Sequence, residues 1–180
     1  LSIVAISGSN RPDSYNLSLI KYYQQHHIDE IQIQILDIDD LPMFKIVKDS
    51  DTPSKVRYIN DCVRDADGIM IATTEINHSI PSNIKNVIDW LSMQPGLLKN
   101  KPTLLMGAST GPLGTVRAQM HLREILATPA INAKVTHNNE CFITNANDNF
   151  DDNNHVTSQK TIDVLENLYS EFIEIINERF

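Results

Sequence analysis

Positive charge is scarce in this chain of 180 residues: 15 lysines and arginines stand against 23 aspartates and glutamates, a formal net charge of −8. That balance excludes general nucleic-acid or anionic-membrane binding, since both need a basic surface. Cysteine is nearly absent. Cys62 and Cys141 stand alone, with no CxxC or CxxH around either, so both read as small core residues and no metal site is expected. A reduced, cytoplasmic setting follows from the same scarcity. No apolar run approaches the length of a membrane span, and no signal-peptide pattern is visible. The dinucleotide fingerprint GxGxxG, the P-loop GxxxxGK[ST] and the zinc motif HExxH are missing. An NAD-type Rossmann site, a P-loop and a zincin centre are thereby set aside.

What is present is a regular alternation. Ser2–Ile6, Gly68–Ala72 and Thr103–Ala108 are short, nearly continuous apolar runs, as strands covered on both faces should be. Ile31–Ile35 alternates apolar with Gln, the pattern of a strand with one wet face at a sheet edge. Ala133–Ile143 reads as an interrupted edge strand. Helical spacing marks Asn16–His27, a segment opened by Thr52 as N-cap and Pro53 as first helical residue, and a segment carrying Ile84, Val87, Ile88 and Leu91. Thr115–Leu126 and a terminal stripe of Ile162, Leu165, Tyr169, Phe172 and Ile176 complete the set. Asp37–Asp51 reads as a long loop, a length usual for a lid or wall.

Five strands alternating with five helices predict an α/β fold, a doubly wound parallel sheet of order 2-1-3-4-5, forming one domain over residues 1–180. Ligands of such sheets bind beyond the carboxyl ends of the strands, where the strand order reverses. Three loops are predicted to meet there: Ser7–Asn16, Thr73–Ser79 and Gly107–Gly114. All three are rich in Gly, Ser, Thr and Asn. The first joins a buried strand to a helix N-terminus and carries Ser9, Ser14, Asn16 and the guanidinium of Arg11, a set suited to phosphate. An ordinary polar turn with a surface arginine has the same composition. Gly107-Ala108-Ser109-Thr110-Gly111 is read as only superficially like a nucleophile elbow.

Three segments, GSNRPDSYN at 8–16, TTEINHSIPSNIKNVIDWLS at 73–92 and GASTGPLGTVRAQMHLREIL at 107–126, resemble the NADPH-dependent FMN reductase family of flavodoxin-like proteins, which includes quinone, chromate and azo-dye reductases. The family pattern runs GSxRxxSxN, then PEYNxSIPxxLKNAIDWxS, then GxSxGxxGTxRAQxxLR. The resemblance implies that Ser9, Arg11, Ser14 and Asn16 hold the FMN phosphate. It implies that Thr74, Glu75, Ile76 and Asn77 run along the isoalloxazine ring, largely through backbone groups. It places Ser109, Thr110 and Gly111 near the ribityl chain and the other ring edge. Two departures stand out: Thr74 replaces the family's Pro, and Ile76 its common Tyr.

The implied activity is ping-pong hydride transfer from NAD(P)H through FMN to a quinone-like, azo or other small acceptor, with no residue acting as nucleophile or metal ligand. A flavodoxin-type electron carrier or a flavin-binding module without turnover is the alternative. Glu75 reads as a loop carboxylate seen by solvent in preference to an electrostatic influence on the flavin; His78 stands beside the expected ring edge, where it or water can supply a proton to a reduced acceptor. The resemblance also implies a homodimer or homotetramer through the third and fourth helices, with Trp90 and Met120 as anchors.

Overall fold

The computed structural model describes residues 1–9 and 11–178. The chain runs β1 (Ser2–Ser7), α1 (Tyr15–His26), β2 (Gln32–Ile35), α2 (Ser54–Asp65), β3 (Gly68–Ala72), α3 (Ser82–Ser92), β4 (Pro102–Ala108), α4 (Val116–Leu126), β5 (Lys134–Val135), β6 (Phe142–Ile143) and α5 (Gln159–Asn177). The strands form one parallel sheet in the order β2-β1-β3-β4-β5, with β6 pairing further along β4. This is the expected order, and the burial pattern explains it. Ile3 and Ala5 face α1 and α5 in one apolar cluster, while Val4 and Ile6 face α2 and α3 in a second. Period-two alternation thus needs apolar residues on both faces of a central strand. In β2 only Ile33 is buried and the flanking Gln32 and Gln34 are exposed, so it closes an edge.

The fifth strand departs from expectation. Instead of one strand over 133–143 there are two pieces of two residues each. Glu171 of α5 explains the break. Its buried carboxylate accepts the backbone N–H groups of His137, Asn138 and Asn139 at 2.7, 2.9 and 2.8 Å, and the Asn139 side-chain amide at 3.0 Å. Charge-assisted bonds of this kind are roughly twice as strong as neutral ones, so they displace strand pairing. Burial pushes this carboxyl upward, but those hydrogen bonds outweigh it and hold it below the usual carboxylate range. Gln119 and Arg123 of α4 donate to the Cys141 and Thr136 carbonyls, bridging the same gap.

Two smaller corrections concern α2 and Trp90. The helix begins one residue later than expected, with Pro53 itself at the cap in an extended conformation. Trp90 is buried: its Nε1 donates to Pro42 O at 2.8 Å and its ring meets Phe44 edge-on at 5.2 Å. It fastens the long loop 37–48 to α3 and presents no surface for an interface. Cys141 is fully buried and its thiol is pushed up to about 12 by that burial, so it is inert. Both cysteines are free thiols.

Candidate functional site

The loops after β1, β3 and β4, here loop 1 (8–14), loop 3 (73–81) and loop 4 (109–115), meet at the carboxyl edge of the sheet. Gly8 makes that meeting possible. Its N–H donates to Ala72 O at 2.8 Å, and a Cβ there would stand 2.9 Å from Thr74 N, so only glycine lets loops 1 and 3 touch. Beyond it, Ser7 Oγ donates to Ser9 O at 2.6 Å, and Ser9 Oγ accepts from Arg11 N at 3.5 Å. Ser14 caps α1 by accepting from Leu17 N at 3.4 Å. The Arg11 guanidinium, 73% exposed, makes a bidentate pair with Asp13 at 3.0 and 3.1 Å. Asn10 of this loop lies outside the described residues.

Asn16 has a different task. Its Nδ2 donates to Ala108 O at 3.0 Å and its Oδ1 accepts from Ala108 N at 2.9 Å. The buried amide therefore braces α1 against the end of β4 with one of its two N–H groups and one lone pair, and Asn16 still lines the cleft. No local sequence signal announces this brace, because its partner lies 92 residues away.

Loop 3 folds into a two-residue hairpin. Ile76 and Ser79 exchange both backbone hydrogen bonds, at 2.9 and 3.0 Å, and the central Asn77 and His78 have φ of 48° and 65°. Two positive φ values define a type I′ turn, which suits Asn but strains His. Just before the hairpin, Glu75 turns away from solvent, contrary to the sequence expectation. Its side chain is 15% exposed, and Oε2 accepts from Arg117 N at 3.0 Å and Ala118 N at 3.2 Å. Arg117 Nη1 stands 3.7 Å from Oε1.

The N-terminus of α4 needs this help. Thr115, its N-cap, has φ +67° and makes no side-chain cap; its Oγ1 instead accepts from Gln119 Nε2 at 3.1 Å. A carboxylate at the first turn satisfies orphan N–H groups and complements the helix dipole. One turn on, His121 Nδ1 lies 3.1 Å from Ser79 Oγ. Loop 3 is thus pinned to α4 at two points.

Loop 4 begins with the sequence Gly107-Ala108-Ser109-Thr110-Gly111, which does have the GxSxG spacing of a nucleophile elbow. Geometry, not spacing, rules that role out. Ser109 is not among the residues with positive φ, and its Oγ donates to Gly111 O at 3.3 Å with no His or carboxylate attached, whereas an elbow requires a strained turn and a base. Gly107 is fixed by packing: a Cβ there would fall 1.9 Å from Thr115 Oγ1.

An open cleft of about 380 Å³ joins Ser9, Arg11, Ser14, Tyr15 and Asn16 of the first segment to Thr74, Ile76 and Pro81 of the second and Thr110 of the third. Of the other expected site residues, Glu75 turns to α4, and Asn77, Ser109 and Gly111 stand beside the cleft without lining it. The N–H groups of Thr74, Thr110 and Gly111 have no partner among the described residues. The cleft therefore offers unpaired backbone donors, hydroxyls, a helix N-terminus and one guanidinium. Such a set binds a phosphorylated, flat, hydrogen-bonding molecule. No group of His, Cys, Asp and Glu suited to a metal occurs among the described residues, and no described helix is long and apolar enough to cross a membrane.

Comparison with known proteins agrees with this chemistry. The sequence model of the family NADPH-dependent FMN reductase matches residues 1–148. The chain is 34% identical over 183 residues to the NADH-dependent flavin reductase subunit 2 of Lactobacillus johnsonii, covering 99% of this chain and 98% of that one. It is 35% identical over 130 residues to the quinone reductase of Escherichia coli K12, covering 70% and 69%. Among solved structures it resembles FerB, a flavoenzyme NAD(P)H:(acceptor) oxidoreductase from Paracoccus denitrificans. The TM-score is 0.87 at 28% identity, covering 98% of this chain and 97% of that one.

Proposed function

The chain belongs to the NADPH-dependent FMN reductase family, and we propose that its whole length works as one FMN-binding domain that reduces a quinone-like or azo acceptor in ping-pong fashion. It is an oxidoreductase with FMN as cofactor and NAD(P)H as co-substrate. FMN, when bound, supplies the hydride chemistry. The protein's own part is to hold, orient and admit. Ser9, Ser14 and the N-terminus of α1 take the phosphate, and Arg11 exchanges Asp13 for it. Thr74–Asn77 follow the ring through backbone groups, with Ser109, Thr110 and Gly111 at the ribityl chain and the far edge. Asn16 and Glu75 keep these loops in register. Ile76, 54% exposed at the cleft, gives donor and acceptor in turn an apolar surface to lie against.

The observation that carries this reading is the convergence of three small-residue loops, with unpaired N–H groups, at the ends of β1, β3 and β4. Purified protein should be yellow, and anaerobic NADPH or NADH should bleach it within catalytic times. Initial rates at varied donor and quinone should give parallel double-reciprocal lines. Intersecting lines would overturn the ping-pong order, and a flavin left oxidised by both donors would overturn turnover itself. Exposed Leu113 and Met120 support assembly as a homodimer or homotetramer through the α4 side, and two free thiols suit a cytoplasmic setting.

A further inference from the structure

Loop 1 separates two clefts. Arg11 and Asp13 line the first, whereas Pro12 between them lines a second, of about 360 Å³. One wall of the second is α1, where Ser18, Lys21, Tyr22, Gln25 and His26 follow one another over about 12 Å of helix. The opposite wall is the segment 153–156 ahead of α5.

Its donors suit an anion. No Asp or Glu lines the cleft, although the chain carries a net charge of −8. Lys21 is exposed and has no carboxylate partner among the described residues. Ser18 is only 7% exposed, yet its hydroxyl makes no hydrogen bond among the described residues. Helical serines usually return the hydroxyl to a carbonyl one turn back. A hydroxyl that reaches the cleft without a protein partner is open to one from a ligand.

Its imidazoles suit a sugar or base. His26 Nδ1 lies 2.9 Å from Tyr22 O, and His155 Nδ1 lies 3.3 Å from Asp151 Oδ2. With Nδ1 engaged in both cases, Nε2 of each ring has no partner among the described residues and is left for a polar group of a ligand. The His26 ring is also held flat against Tyr22, 4.1 Å between centroids at 20°, which presets it for stacking on a base.

We propose that this second cleft binds the phosphorylated nucleoside half of a dinucleotide. Two molecules carry that chemistry: the adenylate half of FAD and the adenosine-phosphate half of NAD(P)H. The inference rests on the cofactor reading above only for naming those two.

The test uses FMN-loaded protein titrated with AMP, following the imidazole protons of His26 and His155 by NMR and the flavin band by absorbance. Both histidines should shift while the flavin band stays constant, and Lys21→Glu should weaken AMP by about tenfold or more. The source is then assigned by which quantity Lys21→Glu alters. A changed FAD-to-FMN affinity ratio points to the flavin, a raised KM for NAD(P)H to the pyridine nucleotide, and neither to a free nucleotide. Silent histidines would overturn the proposal, as would AMP binding indifferent to Lys21→Glu. Inorganic phosphate acting as strongly as AMP would reduce the cleft to an anion trap, and release of FMN by AMP would place AMP in the flavin cleft; either defeats it. Protein that fails to bind FMN at all would strike the cofactor reading instead.

Discussion

Loops 1 and 3 flank the same cleft and follow neighbouring buried strands, yet their side chains are held differently. On the loop 3 side, Glu75 fastens the chain to α4 with two backbone hydrogen bonds, His121 meets Ser79, and the hairpin carries its strain locally at His78. On the loop 1 side, Arg11 stands in solvent on an exposed pair with Asp13, and the fixed element is Asn16 at the base of the loop. Exposed ion pairs contribute little and break readily. Loop 3 is therefore organised before any ligand arrives, while loop 1 keeps the cation of Arg11 on a loose tether. Backbone contacts to a flat ring need positions fixed in advance; a charge on a long side chain can swing to its partner.

Substitutions can break this contrast in order of size. Asn16→Ala strands the buried N–H and C=O of Ala108, and thermal unfolding should show a loss of roughly 3 kcal/mol. A loss under half a kilocalorie, within the scatter of surface changes, would mean the brace is dispensable. Glu75→Ala removes the cap of α4 and should lower stability by about 2 kcal/mol, with Glu75→Gln recovering part of it. FMN titration of Glu75→Ala should weaken in parallel, and unchanged affinity would separate the cap from the ring site.

Arg11→Ala should leave the stability of the FMN-free protein as it was, because the Arg11 pair is exposed, and weaken FMN by about 1.5 kcal/mol. If it destabilised the FMN-free protein instead, the tether would be structural. The smallest change is favourable: His78→Gly relieves a positive φ and should raise stability by about 1 kcal/mol. An unchanged or lowered melting temperature would show that the imidazole makes up for its own strain.

The fold was legible because its signals are local. Continuous apolar runs marked β1, β3 and β4, alternation placed β2 at an edge, and helical spacing located each crossover. The three loops were legible as a group for the same reason, since the sheet order brings them together. What escaped were groups whose meaning depends on a distant partner. Glu75 looked like a solvent-facing carboxylate because the bare N-terminus of α4, some 40 residues on, gives no sign in the sequence of lacking a cap. Asn16 gave no sign of its brace because the partner is a backbone unit at the end of β4. Trp90 read equally as packing or as an interface anchor because the loop that covers it has no regular structure to predict; it is packing.

The interrupted fifth strand bears on how the protein can associate. A long free strand at a sheet margin is a template on which another chain can pair and keep pairing. Here that margin consists of two pieces of two residues, and the three amides between them are already taken by Glu171. Contact between copies at this side must then rely on complementary side-chain surfaces instead of a backbone ladder that each added chain could extend. Glu171 is in this sense a guard against open-ended growth.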